Sequence, residues 1–244
     1  MKKFELTGKF VTNIFGKKLF QIRALVAFGD VQPGEFGGYV EKEENLSHNG
    51  NAWVSGNAWV SGDAQVSGNA WVFGNARVYD NTQVSGNARV YDNAQVFGNA
   101  QVSGDAWVYD NTQVSGNAWV SGDAQVSGNA QVSGNAWVSG NAWVSGNARV
   151  YDNTQVSGDA QVSGNAQVSG NADILHITGL GTVHRTTTAF RTEDGLRIVC
   201  GCFSGNLKDF REQVTKTRGG KVQREYLAFA DLIEIYFKED KLCF

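Results

Sequence analysis

Large apolar residues recur at every sixth position through the middle of the chain. Valine holds the beat from Val54 to Val168 without a slip, and Ile174 takes the next one, giving 21 successive hexads. Two residues before each beat stands a small side chain, alanine in most hexads and threonine at Thr82, Thr112 and Thr154. Between the two sits Trp, Gln, Arg or, once, Asp173. In–out–in over three residues is the alternation of a very short strand. Each valine is followed by Ser-Gly-Asn, Ser-Gly-Asp, Phe-Gly-Asn or Tyr-Asp-Asn. Gly, Asn and Asp tolerate left-handed backbone angles, so these triplets are turns.

A helix does not fit this beat. Six residues advance about 240° around a helix beyond one full turn, so the valines would visit three sides of it. A glycine in most hexads would also weaken each turn by about 1 kcal/mol. A meander of separate hairpins fails because three-residue strands are marginal without stacking. A parallel solenoid meets every constraint: each strand bonds to its equivalents above and below, and Val and Ala stack inward on their own copies.

The hexads of residues 51–174 resemble those of the hexapeptide-repeat left-handed β-helices. That resemblance implies left-handed triangular coils of three hexads, hence 18 residues per coil and about seven coils. At ~4.8 Å between strands the rod would be roughly 30–35 Å long. The outward residues then fall into three columns. One face carries Trp53, Trp71, Arg89, Trp107, Gln125, Trp143 and Gln161. The second carries Trp59, Arg77, Gln95, Gln113, Gln131, Arg149 and Gln167, and the third Gln65, Gln83, Gln101, Trp119, Trp137, Gln155 and Asp173. All seven tryptophans are expected to point outward. At the corners Phe73, Tyr91 and Tyr109 should stack in one column, and Phe97 on Tyr79 in another. The aromatics can shield a thin barrel, or Trp53, Trp71, Trp107, Trp143, Trp119 and Trp137 can form an interface to a partner or to further copies, as in a trimer. One observation favours a spacer over a gripping surface. The segment "VYDNTQVSG" at Val108 recurs at Val150, an offset that places the copy on a different face.

The ends differ from the middle. Residues 1–50 have strand-like runs at Phe20–Phe28 and Tyr39–Val40, with turns expected at Gly29, Pro33-Gly34 and Gly37-Gly38. They form an N-terminal cap over the valine column, and His48 reads as a cap residue. The stretch "IRAL…FGDVQPGEFGGYVEKEENLSHNGNAWV" is similar to the opening of hexapeptide-repeat proteins encoded by phages and prophages, which implies a phage-type origin and a role in the host cytoplasm. The expected division is 1–50 cap, 51–177 parallel β-helix and 178–244 C-terminal α+β module. In the module, "TVHRTTTAFRTEDGLRIVCGCF" reads as two strands around a turn at Glu193–Gly195, with Leu196, Ile198, Cys200 and Cys202 opposite Val199. "SGNLKDFREQVTKT" reads as a helix capped by Ser204 or Asn206, with Leu207, Phe210 and Val214 inward. "REYLAFADLIEIYF" is amphipathic with Leu227, Ala230, Ile233 and Phe237 inward.

Charge narrows the function. The chain has 244 residues and a net charge of −3. Residues 51–174 hold 3 Arg, no Lys, 9 Asp and no Glu, a balance that repels nucleic-acid backbones. No secretory segment and no run of ~20 apolar residues is present, so a cytoplasmic, non-membrane protein is expected. Cys200, Cys202 and Cys243 read as free thiols, too few and too poorly spaced for zinc, and no cofactor is expected. Acyl transfer, common in the resembling fold, uses a coil-borne histidine and often a protruding loop. No histidine lies between His48 and His176, and no loop interrupts the hexads. A flat threonine array for ice binding is missing as well. The expectation is a non-enzymatic scaffold or binding protein. The alternative is a protein that sequesters a small anionic host metabolite or signalling nucleotide, with an acyltransferase set aside. The candidate ligand site is the "CGCFSGN" turn: the N–H groups near Ser204, Gly205 and Asn206, with Arg185, Arg191 and Lys208 for charge and Thr186 and Thr188 as hydroxyl donors.

Overall fold

The computed structural model describes residues 2–238; Cys243 lies outside them. Twenty two-residue strands run from β4 (Trp53–Val54) to β23 (Gln167–Val168), one per hexad. They pair in parallel at an offset of 18 residues, Arg89 with Trp107 and Gln101 with Trp119 for example, so three hexads do make one coil. Each hexad donates backbone N–H groups to the next coil, as in Trp71 N to Ala88 O at 2.9 Å and Phe73 N to Val90 O at 3.0 Å. This is a mainly β parallel solenoid of about seven coils.

The inward alternation is complete: every beat valine and every alanine two before it is fully buried. The three inward threonines satisfy their hydroxyls on the preceding corner carbonyl, Thr82 Oγ1 donating to Tyr79 O at 2.6 Å and Thr154 Oγ1 to Tyr151 O at 2.7 Å. Corner positions need left-handed backbone. Glycine supplies it in most hexads, while Asp80, Asp92, Asp110 and Asp152 adopt φ of 56–62° instead. Two of these aspartates also accept from the next coil, Asp110 Oδ2 from Gly128 N at 2.9 Å and Asp80 Oδ2 from Gly98 N at 3.1 Å.

Corner asparagines do more than turn the chain. Asn57, Asn75, Asn93, Asn111, Asn129, Asn147 and Asn165 form a continuous ladder in which each side-chain amide donates to the next carbonyl, at 3.1–3.2 Å for the first links. The ladder continues through Asn111, Asn129 and Asn147. The sequence reading assigned these residues to turns alone. The expected aromatic stacks are present, with centroids 4.7 Å apart for Phe73–Tyr91, 5.1 Å for Tyr91–Tyr109 and 5.1 Å for Tyr79–Phe97. Trp119 and Trp137 also stack, at 5.0 Å.

The N-terminal cap is woven into the rod. Strands β1 (Phe4–Thr12) and β2 (Lys18–Ala24) form a hairpin, and β2 pairs with β3 (Phe36–Val40). Strand β3 then pairs in parallel with the rod, Val40 beside Val60, and Leu46 bridges to Val66. The winding therefore begins before residue 50. Strand β1 had no counterpart in the hydrophobic pattern. Gly37 and Gly38, expected in a turn, lie inside β3. A Cβ on Gly37 would sit 2.5 Å from Val54 O, so these glycines serve close approach. Phe4, Ile22, Val31 and Leu46 close the valine column.

Trp53 is a correction to the outward set. It is 1% exposed beneath the cap, edge-on to Phe28 at 5.3 Å. At the other end the beat changes use. Asp173 lies in a single 3-10 turn, Asn171–Asp173, rather than in the third column, and Ile174 opens β24 (Ile174–Leu180). With β25 (Arg185–Thr192), β26 (Gly195–Cys200) and β27 (Phe203–Gly205) it forms an antiparallel sheet of four strands. Ile174, Phe190 and Val199 join the valine column and seal it. Thr188 Oγ1 accepts from Gln161 N at 3.2 Å. The opposite face, with Ala189, Ile198 and Cys200, packs on α1 (Leu207–Thr217) and α2 (Gly220–Phe237) through Phe210, Val214, Ala230 and Ile233. One sheet thus closes the rod on one side and floors a small α+β module on the other.

Candidate functional site

The eight candidate ligand residues do not converge on one point. Arg191 is turned toward the rod junction, its Nε 3.1 Å from Asp173 Oδ1 and its guanidinium 5.6 Å from the Phe237 ring centre. Thr188 is buried against the rod. Thr186 shares a hydrogen bond with Thr178 at 2.9 Å. "CGCF" closes the hairpin from β26 to β27, with Cys200 paired to Phe203, and does not feed a helix directly. The helix starts at Leu207, and Asn206 Oδ1 already accepts from Asp209 N at 2.8 Å, which occupies a donor that a phosphate would use. Gly205 pairs with Ile198 within the sheet, and Lys208 stands exposed on the first turn of α1. Ser204 Oγ accepts from Arg197 Nη1 at 3.3 Å.

Arg185 and Ser204 do line a cavity, in company that the sequence reading did not name. It has a volume of about 310 Å³ between β26, β27 and α1, floored by Phe203, Phe210, Val214 and Cys200. Gln213, Thr217 and Arg218 stand at its rim. A second cavity of about 330 Å³ adjoins it on the side of Gly181–Val183 and Val222. Arg185, Thr217, Arg218 and Tyr226 line both.

Local structure explains this meeting. Arg218 and Gly219 connect the two helices and turn α2 back across the sheet, which brings Tyr226 over Cys200 and Leu180. The Tyr226 hydroxyl is buried and donates to Leu180 O at 3.4 Å. Burial pushes its phenol above the usual range and Cys200 adds to that, while Arg185 and Arg218 pull the other way. Arg185, Arg218 and Tyr226 line the same two cavities. Gly201 has φ +60°, and a Cβ there would collide with Arg185 Nη1, so this glycine leaves the arginine its place. Thr187 Oγ1 donates to Cys200 Sγ at 3.1 Å. Arg218 and Tyr226 were missed because the signal is topological: the "TRGG" between two amphipathic stretches marks a helix hairpin, but not what the hairpin covers.

The tryptophans of the candidate interface split. Trp107, Trp119, Trp137 and Trp143 are exposed, Trp71 is half-buried and Trp53 is buried. The indoles of Trp119 and Trp143 donate to Ser103 and Ser127 of the preceding coil at 3.2 and 3.4 Å. His48 is held by the cap: its Nε2 is 2.6 Å from Glu43 Oε1, its Nδ1 accepts from Lys3 N, and its ring stacks on Phe4. Among the described residues no group of three or more His, Cys, Asp or Glu side chains is placed to hold a metal ion. No helix among them is long and apolar enough to cross a membrane.

A family model described as "YdcK Beta solenoid repeat" matches the chain at residues 64–80, 70–86, 82–98, 94–110, 100–115, 112–128, 124–140, 130–146 and 142–158. No curated protein matches the chain. The family match spans 64–158, less than half of the sequence, and covers neither the cap nor the module. It makes the repeat similar to that solenoid family, in agreement with the hexad winding.

Proposed function

We propose that this protein is a non-enzymatic binding protein, in which the solenoid is a scaffold and the C-terminal module holds a small ligand without converting it. The observation that carries the reading is the pair of adjoining cavities in the module with Arg185, Arg218 and the buried Tyr226 hydroxyl at their junction. The rod surface has clefts as well, of about 400 and 480 Å³, but aspartates line both beside Arg89, whereas the module cavities hold arginines and no carboxylate. Residues 51–174 contain no His, Lys, Cys or Glu, so no side chain there takes up or releases a proton near neutral pH. Its outward surface carries ladders of corner asparagines and several aromatic stacks.

On this reading capture of a small anion is the activity, and acyl transfer is not. The finer features follow the resemblance: left-handed coils, a phage-type protein working in a host cytoplasm, and self-association through the exposed Trp107, Trp119, Trp137 and Trp143. Large exposed aromatic surface favours such association.

The test uses the full chain, dialysed to equilibrium against a mixed pool of small metabolites and examined by native mass spectrometry. Gln213 is exposed at the cavity rim, so Gln213→Trp should block the cavity without disturbing the fold. The expected result is a small molecule bound to the wild type, absent from Gln213→Trp, and recovered chemically unchanged. Equal uptake by both proteins, or recovery of an altered molecule, would overturn the proposal.

A further inference from the structure

The waist between the two cavities limits what the module can hold. Arg185 and Arg218 line both lobes, and no carboxylate lines either. Neither guanidinium is ion-paired among the described residues, whereas Arg191 is held by Asp173, and Arg211 by Asp231 and Glu234. Glu225, beside Tyr226 in the chain, accepts from Gly181 N at 3.1 Å and meets Lys221 at 3.4 Å, so it is engaged elsewhere. The end of α1 and the start of α2 meet at Arg218–Gly219, and their dipoles oppose each other. The preference for negative charge therefore comes from the two arginines.

Two guanidinium forks exceed what one carboxylate uses, since a single fork already matches its two oxygens. A phosphate monoester presents three terminal oxygens and close to two charges, and it can take both forks, while the Tyr226 hydroxyl keeps its proton on Leu180 O. The floor of the first lobe, Phe203, Phe210 and Val214, suits a flat ring. A volume of about 310 Å³ is at the small end for organic ligands, which fits one nucleoside and not two.

Resting on the reading of the module as a ligand site, we propose that it binds a nucleoside monophosphate, with the phosphate at the waist between Arg185 and Arg218 and the base over Phe203 and Phe210. The closing experiment is calorimetry of the full-length protein at fixed ionic strength. The titrants are the four common ribonucleoside 5′-monophosphates and their four nucleosides, repeated on Arg185→Gln, Arg218→Gln and Gln213→Trp. Unchanged melting temperatures establish that the variants fold.

The expected result is one site per chain that takes at least one monophosphate at least tenfold more tightly than its nucleoside. Each arginine variant should weaken that binding about 10- to 100-fold, as loss of a charge-assisted contact does. Gln213→Trp should abolish it. If nucleosides and monophosphates bind alike, or the arginine variants bind as the wild type does, the phosphate assignment is overturned while the module stays a ligand site. If none of the eight compounds binds, the nucleotide inference is overturned; the broader reading falls separately, only if dialysis also finds the wild type empty.

Discussion

Rod and module are built on opposite plans. In the rod each inward side chain meets its own copy 18 residues away, Val102 between Val84 and Val120. In the module each meets a different partner, Phe210 packing on both Phe203 and Tyr226. Repetition largely satisfies itself: backbone groups, corner asparagines and several aromatic rings find the equivalent group one coil on, and the clefts on its surface set aspartates beside Arg89. The irregular packing of α1 and α2 on the sheet leaves cavities lined by Arg185 and Arg218, which have no ion-pair partner among the described residues. A regular stack makes a framework, and a site arises where regularity stops.

The largest effect expected is from a charge placed within the stack. Val102→Asp puts a carboxylate between buried valines, and burying it unpaired costs several kcal/mol. The rod should lose its cooperative melt by circular dichroism, whereas Gln101→Asp, one residue away and exposed, should melt almost as the wild type does. Similar melts for the two would break the in–out assignment.

Deletions come next. Removing Ser121–Val138 takes out one coil and joins Val120 to Ser139 in register, so the protein should fold and keep its melting temperature within a few degrees. Removing only Ser121–Val126 keeps the local alternation but turns the module by one face relative to the cap. Small-angle scattering should show a shorter rod in the first case and a rotated module in the second. Misfolding of the one-coil deletion would contradict the three-hexad coil.

A smaller effect is expected at the cap, where packing is again irregular. Lys3 is buried, donates to Ala52 O at 2.7 Å and lies over the Phe28 ring. Burial pushes its ammonium down from 10.5 to about 8. Because the folded value lies below the unfolded one, the unfolded chain holds more protons between these values, and stability rises with pH across that window. Urea midpoints measured from pH 8 to 9.5 should rise for the wild type and stay flatter for Lys3→Met. Equal slopes would remove Lys3 from the account. The smallest effect is on the ladder: Asn93→Ala removes two exposed side-chain bonds. It should cost about 1 kcal/mol, or roughly 2–4 °C of melting temperature.

The rod could be read from the sequence because its order is local and repeated. A period of six with small residue, outward residue and valine sets inside from outside at every position, and the columns followed once 18 residues made a coil. Trp53 escaped that reading because the cap covers it, a contact between segments far apart in sequence. Gly37 and Gly38 looked like a turn for the same reason, since what they accommodate is the backbone near Val54 and Ala58. In the module β25, β26 and the two helices were legible from alternation and amphipathic stripes, whereas β24 and β27 were not, and Cys202, read as part of a strand face, lies in the turn between β26 and β27. The site was only half legible. Arg185 and Ser204 stand on elements that the pattern located, but Arg218 and Tyr226 join them only because the helix hairpin folds back over the sheet. Arg191 and Thr188, close to Arg185 in sequence, point to the rod junction, since successive side chains of a strand face opposite ways and the strand end lies at the seam.

The central claim is that the rod positions and the module binds. It is tested most directly by comparing ligand uptake, by equilibrium dialysis and native mass spectrometry, between the full-length wild type and the protein lacking Ser121–Val138. The account predicts the same molecule at the same occupancy on both, because removing one coil leaves every residue of the cavities in place. A deletion variant that melts as a folded protein but takes up nothing would contradict it, and would move the binding surface onto the rod.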